Sequence, residues 1–145
     1  MGEKEIVGIV EEIQIIGVKK IKTLALFDSG AHLTSVDMRL ASKAQLGPIV
    51  GTMIVKNPSV QSEVRRILVK AQIKIKDKIF DVKVNLQDRS HMSMPVIIGR
   101  NILSGNFIVD PYKNQDLLKK KIEDFPEKSI ESWIKTEEGV NSVTK

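Results

Sequence analysis

The chain contains no cysteine. That excludes disulfides, thiolate zinc sites and a cysteine nucleophile, and it fits a reducing compartment. Aromatic residues are scarce at 4%, so Ile, Val and Leu must build any core. The β-branched members of that set favour strands. Histidine is nearly absent too: only His32 and His91 occur, and no His-Glu-x-x-His. A catalytic zinc asks for three protein ligands and an open position, so no metal is expected; both histidines read as polar surface or subsite residues. Gly30-Ala31-His32 lacks the glycine spacing and the lysine of a phosphate-binding loop, and no cofactor is expected. No apolar run approaches the roughly 18 residues of a membrane span, so no membrane partner is expected. Met1-Gly2-Glu3-Lys4-Glu5 carries acids and leads into a strand-like run, unlike a signal peptide. The cytoplasm is the expected location.

What is present is ordinary in bulk and specific in detail. At 145 residues, with 41% hydrophobic and 28% charged positions, the chain is long enough for a real core; a domain near this size buries about 70% of its unfolded surface. Net charge is +5. The lysines alternate with apolar residues, as in Val69-Lys70-Ala71-Gln72-Ile73-Lys74-Ile75-Lys76, which is how the solvent face of a strand reads. Steering of acidic substrates is the second reading of that charge. With no basic helix and no aromatic stacking platform, nucleic acid is not an expected partner.

Along the chain the pattern predicts short strands at regular intervals: one bent or two strands over Ile6 to Val18, then Ile21 to Phe27, an extended Leu33 to Val36, Ile49 to Lys56, Glu63 to Lys76, Ile79 to Gln87, Val96 to Ile98 and Asn106 to Asp110. Asp37 reads as the N-cap of a short helix, Met38 to Gln45. A helical turn is expected over Gly99 to Leu103. The strand spacing suggests a mostly β, closed or sandwiched barrel. Pro111 ends it. The expected division is a folded domain over 1–112 and a helical C-terminal extension over 113–145, with helices at Asp116 to Glu123 and from Pro126 to about Thr136.

Two places carry chemistry. The apolar run Leu24-Ala25-Leu26-Phe27 leads straight into Asp28-Ser29-Gly30-Ala31, which places a carboxylate and a hydroxyl at a strand end, with a glycine that permits close backbone approach. By themselves Asp, Ser and Gly are turn residues. The second place is Pro95-Val96-Ile97-Ile98-Gly99-Arg100-Asn101-Ile102-Leu103, an apolar strand opening into a Gly-Arg-Asn helix start. Together, in this order and spacing, they resemble the retroviral-type, retropepsin-like aspartic peptidases. Leu86-Gln87-Asp88-Arg89-Ser90-His91-Met92 and Phe107-Ile108-Val109-Asp110-Pro111 extend the resemblance to a cellular branch that carries the label ATP-dependent zinc protease. Its members are often linked to ATP-grasp enzymes that add glutamates to a ribosomal protein. This sequence itself supports neither zinc nor ATP. The resemblance spans roughly residues 6 to 112.

The resemblance implies a single-lobed acid-protease barrel with a flap hairpin. It makes Asp28 the catalytic carboxylate, supported by Ser29, Gly30 and Ala31, with the Ser29 hydroxyl bonding across a dimer dyad. The flap and substrate-binding segment is Asn57, Pro58, Ser59, Val60, Gln61 and Ser62. Gly99, Arg100 and Asn101 are implied to be structural, near the dimer interface. An aspartic peptidase needs two carboxylates sharing a proton. With one Asp-Ser-Gly per chain, the economical arrangement is a C2 homodimer. The expected function is a homodimeric aspartic endopeptidase acting on an extended peptide or protein, with acidic or glutamylated tails as a narrower target. The alternative is a non-catalytic module of the same fold that holds an extended peptide. Among the other carboxylates, Asp37 reads as a helix cap, Asp88 as the ion-pair partner of Arg89, and Asp110 as a turn residue.

Overall fold

The computed structural model describes residues 3–57, 62–90, 94–118 and 135–136. Its strands are β1 (Glu5–Gly8), β2 (Val10–Ile16), β3 (Lys20–Phe27), β4 (Ser35–Asp37), β5 (Ile49–Asn57), β6 (Ser62–Ile75), β7 (Lys78–Gln87), β8 (Val96–Ile98), β9 (Phe107–Asp110) and β10 (Lys135–Thr136). Two short helices interrupt them, α1 (Met38–Ala44) and α2 (Arg100–Leu103).

Alternation of apolar and polar residues decides which side of each strand faces inward. In β6, Val69, Ala71, Ile73 and Ile75 are buried, while Lys70 and Lys74 between them are exposed. The lysines therefore form the solvent face, as their spacing predicts. In β3 the buried set is Ile21, Thr23, Ala25 and Phe27. The strands pair in the order β3–β2–β6–β7–β4–β8, and a parallel β3–β8 pairing, Leu26 with Ile97 and Phe27 with Ile98, closes the ring. The result is a six-stranded barrel, mostly β, around a core of Ile, Val, Leu and Ala side chains with Phe27 and Phe107 edge to face. Closure removes the open edges that an unclosed sheet would expose.

Local signals explain the joints. The Asp37 carboxylate accepts from the Arg39 N–H at 3.0 Å and caps α1. Lys76, at φ 57°, turns β6 into β7. β5 extends β6 as an antiparallel hairpin that ends with Asn57 opposite Ser62. Outside the ring, β1 and β9 form a parallel pair in which Ile6 lies opposite Ile108, each 53% exposed.

The end of the chain departs in part from the sequence-based expectation. Residues 115–118 are helical. Lys135–Thr136, expected to end a helix, are instead extended and pair antiparallel with Lys22 and Ile21 of β3. The rest of the expected second helix lies outside the described residues. A short strand wins at 135–136 because β3 has a free side there, away from β2, whose unpaired backbone groups can be satisfied.

Candidate active site

β3 points Phe27 inward, and the next residue, Asp28, emerges half-buried at the barrel end. Its backbone is pinned: Asp28 N–H donates to the Ile98 carbonyl at 2.9 Å, continuing the β3–β8 pairing by one residue. The side chain is pinned as well, because Oδ1 accepts from the Gly30 N–H at 2.9 Å. Ala31 N–H closes the turn onto the Asp28 carbonyl at 3.1 Å. Ser29 and Gly30 are exposed. A carboxylate fixed by its own turn, beside an exposed hydroxyl, is an arrangement that a second copy of the same turn can meet.

The Gly99-Arg100-Asn101 segment holds this turn from behind. Arg100 Nη1 donates to the Ser29 carbonyl at 3.0 Å, and Arg100 N–H to the Ala31 carbonyl at 2.8 Å. Asn101 Oδ1 accepts from both Thr34 N–H, at 3.0 Å, and Thr34 Oγ1, at 2.8 Å, while its Nδ2 donates to the Lys83 carbonyl at 3.0 Å. The buried Thr34 hydroxyl in turn accepts from Gly99 N–H at 3.1 Å. Glycine is required at 99: a Cβ there would sit 2.6 Å from the Leu33 carbonyl carbon and 2.9 Å from the Ala31 oxygen, both backbone atoms. The structure thus brings Asp28, Ser29, Gly30 and Ala31 together with Gly99, Arg100 and Asn101. Of the expected flap residues, the backbones of Asn57 and Ser62 close the β5–β6 hairpin, and Pro58, Ser59, Val60 and Gln61 lie outside the described residues.

Two other expectations are refined by the geometry. Asp37 is indeed a cap, but a fully buried one whose carboxylate also takes the Arg39 fork, Nε to Oδ1 at 3.1 Å and Nη2 to Oδ2 at 2.7 Å. The expected Asp88–Arg89 ion pair does not form. Asp88 lies 3.4 Å from Arg39 and accepts from Ser90 N–H. Arg89 turns the other way and is 3% exposed. Its Nε donates to the Met94 carbonyl at 2.8 Å, and its N–H reaches Asp37 Oδ2 at 3.4 Å. The two neighbours part just beyond the end of β7: the Asp88 side chain stays exposed, and the Arg89 side chain is buried.

Arg89 is the residue that sequence reasoning missed. Burial pulls its pKa below the ordinary guanidinium range, down to about 10, opposed by attraction to Asp37, reinforced by repulsion from Arg66, and opposed again by Asp28. The guanidinium remains charged at neutral pH. A cation with a depressed folded pKa destabilises the fold at every pH below that value, and the burden is relieved only as pH climbs above about 10. Such a group calls for a reason. Asp110 accepts from Tyr112 N–H at 3.0 Å, the turn role expected of it. His32 is exposed and His91 lies outside the described residues. Among the described residues, no three His, Cys, Asp or Glu side chains stand together as a metal site would require.

The closed barrel with a carboxylate at the end of β3 is of the retropepsin-like class. The chain belongs to the RimB-like family, described as "Retropepsin-like aspartic endopeptidase RimB", whose profile matches residues 34–121. That span contains Arg89 and Gly99-Arg100-Asn101 and begins after Asp28. Among solved structures, the fold is similar to the protease of EIAV in complex with the inhibitor HBY-793, with TM-score 0.54 and 18% identity, covering 70% of this chain and 91% of that one. It is also similar to a Legionella pneumophila protein of unknown function (DUF785), with TM-score 0.53 and 22% identity over 75% of this chain and 95% of that one. A Desulfotalea psychrophila protein named "Probable alpha-L-glutamate ligase" is 29% identical over 80 residues, 55% of this chain. The match spans only 17% of that longer protein.

Proposed function

We propose that this protein is a homodimeric aspartic endopeptidase whose site is assembled from two copies of Asp28, one per subunit. The observation that carries the reading is the pinned Asp28 turn. It offers one oriented carboxylate at an exposed barrel end, and the described chain contains one such turn. Two such carboxylates held close together cannot both ionise. The ionised one takes a proton from water as the water oxygen bonds to the scissile carbonyl carbon. The protonated one gives its proton to the carbonyl oxygen, producing a tetrahedral gem-diol. Collapse returns a proton to the leaving nitrogen, breaks the C–N bond and releases acid and amine with no covalent enzyme intermediate. The β5–β6 hairpin is the element that would close over the peptide and exclude water. The exposed Ile6–Ile108 pair on the β1–β9 sheet is surface that a second copy can cover.

Acidic or glutamylated protein tails are the proposed target. The net charge of +5 supports this, as does the likeness to a protein named as a glutamate ligase. Cytoplasmic location is proposed with it. The deciding experiment is cleavage of a glutamate-tailed protein by the wild type and by Asp28→Asn. The expected result is loss of cleavage by orders of magnitude with the fold retained. Wild-type turnover in pure Asp28→Asn protein would remove the assignment.

A further inference from the structure

Strand register lines up lysines on the outside of the barrel. Alternating with the buried Val69, Ala71 and Ile73, β6 turns Lys70, Gln72 and Lys74 outward. Lys70 stands directly opposite Lys83 of β7. Lys74 stands opposite Gln14 of β2, and Gln14 opposite Lys22 of β3. Two cationic rows therefore cross the sheet, Lys70–Lys83 and Lys22–Gln14–Lys74. Like charges directly opposite each other destabilise a sheet. None of these four lysines has an ion-pair partner among the described residues. Asp81 is exposed between the rows, opposite Gln72, and is likewise unpaired among the described residues. Lys76, the next outward lysine of β6, is taken by Glu11 at 3.5 Å.

The surface along these rows is hollowed. A groove of about 400 Å³ opens beside Lys70 and Gln72, with Ile16, Val18 and Pro48 as its apolar wall. A second, of about 330 Å³, opens beside Gln14, Lys22 and Lys74, and Glu11 and Glu12 also border it. Gln14 is 8% exposed, and its side-chain amide has no hydrogen bond among the described residues. A buried amide without a partner is destabilising. A carboxylate set between Lys22 and Lys74 accepts from that amide and from both ammonium groups. Lys70 and Lys74 are four residues apart on one strand, about 13 Å at roughly 3.3 Å per residue. An extended polypeptide along β6 has the same rise, so its side chains four positions apart fall on the two rows. Nucleic acid fits less well, because none of the outward positions in the two rows is aromatic and can stack a base.

We infer that the outer face of the β3–β2–β6–β7 sheet docks an extended acidic segment of a partner protein. One carboxylate is seated at Lys70–Lys83 and another, four residues along, at Lys22–Gln14–Lys74. Lys22 lies near the start of β3, whereas Asp28 follows its end, about 20 Å away along the strand. Docking therefore needs neither Asp28 nor a second subunit, and it goes beyond the proposed peptidase.

The test is a titration of full-length Asp28→Asn protein, in which no peptide is cut, followed by backbone amide NMR shifts. The probes are serine peptides carrying the same number of glutamates, at every fourth or every third position. The every-fourth peptide is expected to move the amides of Gln14, Lys22 and Lys70 to Lys74, to leave the turn at residues 28–31 unmoved, and to bind the more tightly of the two. Lys70→Gln combined with Lys74→Gln is expected to weaken it about fivefold, the scale of two exposed charge pairs. Lys4→Gln combined with Lys113→Gln, outside the four strands, changes the net charge equally and is expected to leave binding unchanged. Shifts that map to residues 28–31 instead, equal affinity for the two spacings, or equal losses in the two double variants overturns the docking surface. A single-stranded oligonucleotide of matching charge that binds the same residues more tightly overturns the choice of partner. If the β6 variant does not fold, Lys22→Gln combined with Lys83→Gln tests the same seats from the flanking strands. Cleavage by the wild type is scored separately: a protein that docks the peptide but cuts nothing loses the peptidase reading and keeps the docking surface.

Discussion

Arg100 donates through Nη1 to the carbonyl oxygen of Ser29 at 3.0 Å, across 71 positions of sequence. The bond makes the helix start after β8 a buttress for the turn after β3. Its energetic weight is small because the pair is exposed. Its geometric weight is larger, since it is the side-chain bond that fixes Ser29 beside Asp28, while the Arg100 backbone N–H to Ala31 stays in place whatever the side chain. Arg100→Ala is expected to lower thermal stability by less than about 1 kcal/mol while reducing kcat about 10- to 100-fold, the scale of a small misplacement of a catalytic group. Thermal melts and turnover measured on the same sample check this. A large melt shift with proportionate activity loss would assign Arg100 to stability alone.

Gly99→Ala should be severe for the opposite reason. The added Cβ would meet the Leu33 carbonyl carbon at 2.6 Å and its oxygen at 2.7 Å, and main-chain atoms cannot rotate away. Overpacking of this kind costs about 1–3 kcal/mol. A lowered denaturant midpoint at unchanged slope is the expected signature.

Thr34→Val isolates the hydroxyl at the centre of the network. Shape is kept, but Gly99 N–H loses its acceptor in a buried setting and Asn101 Oδ1 loses one donor in a part-buried one. An unsatisfied buried donor costs about 1–3 kcal/mol. Thr34→Ser keeps the hydroxyl and should recover most of that loss. Chemical denaturation of the three proteins distinguishes the hydroxyl from the methyl.

Much of this arrangement was legible in the sequence because it is local. Alternation of Lys with Val, Ala and Ile in β6 fixed its inward face, and Asp37 declared the start of α1. The strand-end Asp28 and the Gly99-Arg100-Asn101 segment were each visible, though not the bonds between them, which depend on β3 and β8 pairing in parallel. Arg89 was misread for a physical reason. Its neighbour Asp88 offers an obvious ion pair, yet just beyond β7 Asp88 turns to Arg39 while Arg89 is buried on the Met94 carbonyl. The β1–β9 and β10–β3 pairings were illegible because nothing in a strand's own residues names a partner a hundred positions away.

If each subunit supplies one Asp28, specific activity should fall on dilution below the dimer dissociation constant, because folded monomer then lacks the second carboxylate. A hydroxyl-bearing, statine-type peptide should inhibit, since its hydroxyl occupies the place of the attacking water. Metal chelators should leave activity unchanged. Concentration-independent turnover in a protein that sediments as a monomer would remove the two-carboxylate mechanism.

The segment just after Pro111 is tied to the barrel. Asn114 Nδ2 donates to the Val10 carbonyl at 2.8 Å, and the Lys113 carbonyl accepts from Ile9 N–H at 3.0 Å. These bonds close the gap between β1 and β2, where neither strand supplies a partner. The Leu117 N–H then returns to the Asn114 carbonyl at 3.1 Å, steadying the residue that makes the link. Truncation after Tyr112 removes all three bonds and leaves Ile9 N–H and the Val10 carbonyl to water. It should lower stability by about 1–3 kcal/mol, two lost bonds at about 1 kcal/mol each being the core of the effect. Truncation after Leu118 keeps them and, among the described residues, removes the two-residue β10 pairing. Its melting temperature should stay near that of the full chain. Sedimentation on the same two proteins tests for any support of the dimer: dissociation in both assigns that role to the residues after Leu118, and dissociation only in the shorter protein assigns it to the Asn114 link. Equal melting temperatures for the two truncations would show that the Asn114 link contributes nothing to the barrel.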